Sequence, residues 1–293
     1  MSIRASCWLT GSALLVLASA APLWAQQLQA RDPAISPDGR YLAFQGIEGG
    51  RANLYLHDFE TGDLALLTST DALEGGPAWS PDGESIAFYS NRDGNFDIYT
   101  VRMDGTELRR RTDDAAMDLM PSWLSADDLL YVSNRNGDQL RLLHLDSGAD
   151  ELLSVEVEHH NRATLSPSGK ELSVGLKRGD DWDLAILDLD GGIKRVLDAG
   201  PDRAGSGAWS PDGQTLVYPS RQTGDWDLYS VPAAGGTPVR LTSDPGRELD
   251  PTWTVDGGWI LFTSNRSGIF RLYRMRPDGS ELGPLPVGDD GAR

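Results

Sequence analysis

The sequence predicts an all-β protein, a six-bladed β-propeller with four antiparallel strands per blade. Three observations carry that expectation. A turn of the form Ser-Pro-Asp-Gly recurs along the chain. Short runs of alternating apolar residues flank each copy. Six such units, each a little over forty residues long, fill the chain almost end to end. One four-stranded sheet cannot bury both of its faces, but sheets stacked radially in a ring can.

The turn comes first. Ser36-Pro37-Asp38-Gly39 recurs as Ser80-Pro81-Asp82-Gly83 and Ser210-Pro211-Asp212-Gly213. Weaker copies are Ser125-Ala126-Asp127-Asp128, Ser166-Pro167-Ser168-Gly169 and Thr254-Val255-Asp256-Gly257. Successive copies lie 44, 45, 41, 44 and 44 residues apart. Pro presets φ at the first turn position, and Gly supplies the positive φ that closes a hairpin.

The strands follow in a fixed order. A short strand ends just before the turn in Ile35, Trp79, Trp123, Leu165, Trp209 or Trp253. Trp at one repeated position assigns Trp79, Trp123, Trp209 and Trp253 to packing between blades. After the turn comes an alternating run, as in Tyr41-Leu42-Ala43-Phe44 and Ser85-Ile86-Ala87-Phe88. Period-two alternation between turn residues is the pattern of strands. A polar loop such as Ser90-Asn91-Arg92-Asp93-Gly94 leads to a third strand, as in Asp97-Ile98-Tyr99 or Asp227-Leu228-Tyr229. A second Gly turn and a short closing strand complete the unit.

These elements divide the chain into a signal segment at residues 1–25 and one propeller domain at residues 26–293. The repeats run at about 30–70, 71–114, 115–157, 158–200, 201–244 and 245–288. The signal segment has the order of a secretory leader: Arg4, an apolar stretch from Leu9 to Ala21, then small residues. Cleavage falls after Ala20 or Ala25, and Ala25 fits better. The sole cysteine, Cys7, lies ahead of the apolar stretch, so the mature chain is expected to lack thiols and disulfides. No later stretch is long and apolar enough to span a bilayer. The first unit begins at its innermost strand and the last ends on its own outer strand, so the usual strand exchange has no evident donor, and the mode of ring closure is left open.

The Trp-Ser-Pro-Asp-Gly, Ser-Asn-Arg-x-Gly and Asp-Ile-Tyr elements resemble the WD40-like repeats of the TolB family. The resemblance covers roughly Arg31 to Val287. It implies a protein of the cell envelope, periplasmic or alternatively secreted, beside Tol–Pal-like machinery. It also implies a protein or peptide partner. TolB has an α/β domain ahead of its propeller, whereas here little chain separates the signal from the first unit. Unit three lacks the Gly turn, and unit four has Leu176-Lys177-Arg178-Gly179 in place of the Ser-Asn-Arg loop.

Charge narrows the partners. The chain carries 26 Lys and Arg against 44 Asp and Glu, a net charge of −18. That excess argues against nucleic acid and anionic membrane surfaces. Oligomeric state is left open.

Topology sorts the loops. The first and third turns of each unit share one face and are tight. The second turns and the connectors between units share the other face and vary. Function sits preferentially on variable loops held by a rigid scaffold. The expected site is therefore the channel mouth on the second face. Its connectors bring Asp32, Glu74, Asp118, His160, Arg203, Glu248 and Asp250. Its second turns bring Arg92, Arg135 and Arg266. Alternating carboxylates and guanidiniums grip a peptide by paired hydrogen bonds. The alternative is structural, with Arg92 pairing Asp97 in its own blade and Arg221 pairing Asp227.

Catalytic signatures are sparse. No Gly-x-Ser-x-Gly elbow, phosphate loop or His-Glu-x-x-His motif occurs. No catalytic residue, metal ligand or cofactor is assigned. The enzymatic alternative is a carbohydrate-active propeller, a lyase or hydrolase with a metal or acid–base site at the channel mouth. His160 with Asp118 or Asp250 is its candidate constellation.

Overall fold

The Ser-Pro-Asp-Gly turns close through their own side chains. Ser36 Oγ donates to Asp38 Oδ1 at 2.5 Å and accepts from the Tyr41 amide at 2.8 Å. Asp38 Oδ1 also accepts from the Arg40 amide at 3.0 Å. Gly39 takes φ 76°, a value that disfavours any residue with a Cβ. The same set recurs at Ser80 with Asp82 and at Ser210 with Asp212. Thr254 performs it with its own hydroxyl. In unit three no Gly is present, and Ser125 reaches to Asp128 at 2.7 Å instead.

The computed structural model describes residues 28–155, 162–178, 181–198 and 204–287. These residues form six sheets of four antiparallel strands, with no helix among them. The fold is a six-bladed β-propeller. Each sheet takes its strands from consecutive chain, ordered from the channel outwards. In blade 2 the order is Glu74–Trp79, Ser85–Ser90, Asp97–Arg102 and Arg109–Arg110. Residues 1–25, read from the sequence as a signal, lie outside the described residues.

Six apolar clusters hold the ring, one at each junction between blades. The junction of blades 1 and 2, for example, joins Leu54 and Ala43 to Ile86, Phe88 and Tyr99. The Trp residues add a polar strap. Trp79 Nε1 donates to the Ala34 carbonyl of the preceding blade at 3.0 Å. Trp123, Trp209 and Trp253 do the same to Ala78, Thr164 and Ala208 at 3.1, 3.1 and 3.2 Å. Leu165 and Ile35 cannot donate, so the junctions of blades 3 and 4 and of blades 6 and 1 lack this strap.

The ring closes without strand exchange among the described residues. Leu28, Ala30, Leu42 and Phe44 of blade 1 pack on Leu261, Leu272 and Leu285 of blade 6. The Ala30 amide donates to the Phe270 carbonyl at 3.0 Å.

Candidate functional site

The Ser-Asn-Arg loop is a clamp on the connector that precedes the same blade's inner strand. In blade 2 the Asn91 side-chain oxygen accepts from the Leu73 amide at 2.8 Å. Ser90 Oγ donates to Glu74 Oε1 at 3.0 Å. Arg92 donates to Glu74 Oε1 and lies 4.9 Å from the Tyr99 ring centre. Blade 6 repeats the set: Asn265 on the Arg247 amide at 2.7 Å, Ser264 on Glu248 at 2.8 Å and Arg266 on Glu248 at 3.2 Å. Arg266 also reaches Asp244 at 2.9 Å. Antiparallel pairing explains the geometry, because it places Glu74 opposite Ser90 and Glu248 opposite Ser264.

The pairing differs from the structural alternative read in the sequence. Asp97 is bonded to Arg110 at 2.7 Å and Asp227 to Arg240 at 2.7 Å. Arg92 goes to Glu74, and Arg221 donates to the Gly224 carbonyl. The reason is reach: Arg92 folds back over its own blade towards the inner strand, and Arg221 stays within its own loop.

Blade 3 breaks the pattern. Asn134 still accepts from the Met117 amide at 2.8 Å. Arg135, however, pairs with Asp114 and with Asp150, leaving Asp118 without a guanidinium. Asp118 is fully buried, and neither carboxylate oxygen has a hydrogen-bond partner. Burial pushes its pKa up to about 6, against the pull of the Ser133 and Thr112 hydroxyls. Glu248 is raised as well, by burial that outweighs Ser264 and Arg266.

Glu74, Asp118 and Glu248 thus lie inside their blades. What the clamped connectors turn outwards is Leu73, 44% exposed, Met117, 36% exposed, and in blade 6 the exposed Arg247. His160 and Arg203 lie outside the described residues.

The inner strands build a second feature, the channel. In blades 1, 2, 3 and 6 the residue before the inner-strand proline sits in the left-handed region. Asp32, Gly76, Met120 and Asp250 have φ of 52°, 59°, 52° and 53°. The strand bulges there, and a bulge re-aims its side chain. Asp32, Met120 and Asp250 line a channel cavity of about 310 Å³, together with Arg162 and Ser206. The cavity reaches Pro37 and Pro81 of the first turns, on the opposite side from the connectors.

Asp32 accepts from the Gly76 amide at 3.3 Å and lies beside the Asp250 carboxyl. Burial and the Asp32 charge push Asp250 up to about 7, against the pull of Arg31. Arg162 is lowered by burial, while Asp32, Asp250 and Tyr89 favour its charge. Asp250 Oδ2 and Arg162 Nε are buried without a hydrogen-bond partner. Among the described residues, no cluster of three or more His, Cys, Asp or Glu side chains is placed to hold a metal ion.

The family model of the TolB beta propeller domain matches residues 22–206 and 181–291. The chain belongs to the TolB β-propeller family. This TolB-family propeller is similar to TolB from Acinetobacter baumannii, at 28% identity and a TM-score of 0.68. That match covers 77% of this chain and 57% of the other, so the chain spans less than two thirds of that TolB. A putative TolB from Agrobacterium tumefaciens aligns with a TM-score of 0.70 at 20% identity, covering 78% of this chain and 86% of the other. An oligogalacturonate lyase in complex with manganese aligns with a TM-score of 0.58 at 17% identity, covering 89% and 78%. At those two identities the likeness is one of fold. Among curated proteins none matches the chain in sequence.

Three residues of this TolB-family propeller are not among the sequence candidates: Leu73, Met117 and Arg162. Each has a signal. Leu73 and Met117 directly precede the connector carboxylates Glu74 and Asp118. Arg162 follows His160 by two, as Asp250 follows Glu248.

Proposed function

We propose that the chain is an exported, non-catalytic propeller of the cell envelope that docks a protein or peptide partner over the connector face, at the channel mouth. The observation that carries this reading is the Ser-Asn-Arg clamp. Held connectors present Leu73 and Met117 without an ordering cost on binding, and apolar anchors with a polar rim are how interfaces gain affinity. Glu74, Arg92, Glu248 and Arg266 act in this reading as positioning residues. Asp118 and Arg135 belong to the same frame, and His160 and Arg203 keep only their assignment from the sequence to the partner-binding set. A periplasmic location is part of this reading, supported by the leader-like order of residues 1–25 and by the family.

The test is a crosslinking pull-down from the native envelope with the mature chain as bait. Leu73→Asp with Met117→Asp should cut capture of a stoichiometric partner by about tenfold or more, as loss of an interface anchor does. The melting temperature should hold, because both side chains face water. Undiminished capture would remove the connector face from consideration.

A second reading, a carbohydrate-active enzyme, has one observation in its favour. Asp32 and Asp250 form a carboxyl pair in a cavity, with one member raised towards neutrality as acid–base chemistry requires. Polysaccharide turnover that vanishes in Asp250→Asn would establish it. A stoichiometric protein partner with no turnover would retire it.

A further inference from the structure

The channel cavity carries opposite charges on opposite walls. Blades 1 and 6 contribute Asp32 and Asp250 as adjacent carboxyls. Blade 4 contributes Arg162. None of the three forms an ion pair within 4 Å among the described residues, although burying an unpaired charge is costly. Arg31, the other nearby cation, lies over the Phe270 ring at 4.3 Å and is not part of the cavity wall. A partly buried guanidinium and a partly buried carboxyl pair, with Arg162 Nε and Asp250 Oδ2 enclosed and unpartnered, face a shared space of about 310 Å³.

That arrangement selects among ligands. A simple anion meets two carboxyls. A simple cation meets Arg162. A dipolar molecule satisfies both walls at once, since carboxylates recognise ammonium and guanidinium recognises carboxylate. The volume lies at the small end of ligand cavities and admits a few residues, not a folded domain. Met120 and the prolines supply apolar surface between the charges.

We propose that the channel cavity binds a small zwitterion, a free α-amino acid or a di- or tripeptide, with its ammonium on Asp32 and Asp250 and its carboxylate on Arg162. The ammonium takes the place of the proton on Asp250. Binding therefore releases a proton below about pH 7, where Asp250 is protonated. The groups facing Asp250 are Asp32 and Arg31 from blade 1, Arg162 from blade 4 and Tyr89 from blade 2. Affinity should rise between pH 6 and pH 8, the interval in which that proton is lost without ligand. The site is separate from the connector surface, so either reading can fail alone.

The experiment is calorimetric titration of the full chain with tri-alanine and with L-alanine. The blocked controls are N-acetyl-tri-alanine and tri-alanine amide. The free zwitterions should bind, and each block should weaken binding by about tenfold or more, the worth of one charge-assisted hydrogen bond. Binding of L-alanine identifies the amino acid as the source, and binding of tri-alanine alone identifies the peptide. Asp250→Asn should lose the pH dependence, and Arg162→Gln should bind tri-alanine and its amide alike. Asn tolerates the left-handed backbone at position 250, so that variant should fold. Should either variant fail to fold, the comparison of free and blocked ligands on the wild-type chain still decides. The proposal is overturned by equal binding of free and blocked forms, or by no heat from either zwitterion at about 10 mM, a concentration that detects even weak sites.

Discussion

Asp118 stands where its two counterparts are neutralised. Glu74 and Glu248 each have an arginine, while Asp118 has no guanidinium, only the nearby Ser133 and Thr112 hydroxyls. Its native pKa, about 6, lies above the unfolded value near 4. The sign follows directly. Below about pH 4 the carboxyl is protonated in both states, and its contribution to stability is fully present. That contribution is lost as pH rises through 6, with an upper limit of about 3 kcal/mol. Asp118→Asn should therefore raise the urea midpoint most at pH 7.5, less at pH 4.5, and little below pH 4. Parallel pH profiles for the two proteins would show that Asp118 is not the uncompensated charge. The sequence places Asp118 in a partner-binding set because its connector position is legible. Its burial is not legible, because that depends on where Arg135 swings.

At the level of the strand, the repeat makes the blades readable from the residues alone. Turn chemistry and alternation are local, and six copies of one pattern reinforce each other. The packing role of the Trp residues is readable for the same reason. Their hydrogen bonds are not, because the acceptor lies 45 residues back in another blade. Trp209→Phe keeps a ring in the junction and removes the donor to Thr164. It should cost about 2 kcal/mol by denaturant unfolding, the loss of a bond plus an acceptor left partly dry. A change under about 0.5 kcal/mol, the range of inert surface substitutions, would mean that the strap carries little. The channel is the least readable feature. Asp32 and Asp250 face the cavity only because their strands bulge at a left-handed residue, and nothing in the pattern announces that bulge except the following proline. Arg162 is hidden because blade 4 has Ala163 where that proline should be.

The whole ring has one junction unlike the others. Every junction but one is crossed by a connector, and four of them also carry a Trp strap. Blades 6 and 1 have neither. Among the described residues no strand is exchanged, Ile35 replaces Trp, and the contact rests on the Leu28–Phe44–Leu261–Leu285 cluster, the Ala30–Phe270 bond and Arg31 over the Phe270 ring. Local stability follows local contact, so cooperative units open separately where their junctions are weak. Hydrogen exchange resolved by peptide, at increasing urea below the global transition, should find blades 1 and 6 exchanging through a partial opening. Blades 2 and 5, strapped on both sides, should exchange only with global unfolding. The channel gives this opening a consequence, because Asp32 and Asp250 belong to the two blades that part. A ligand bridging both carboxyls would stitch the junction and raise the protection of blades 1 and 6 selectively. Uniform protection across all six blades, with or without tri-alanine, would show that the apolar cluster alone seals the ring as firmly as connector and strap together.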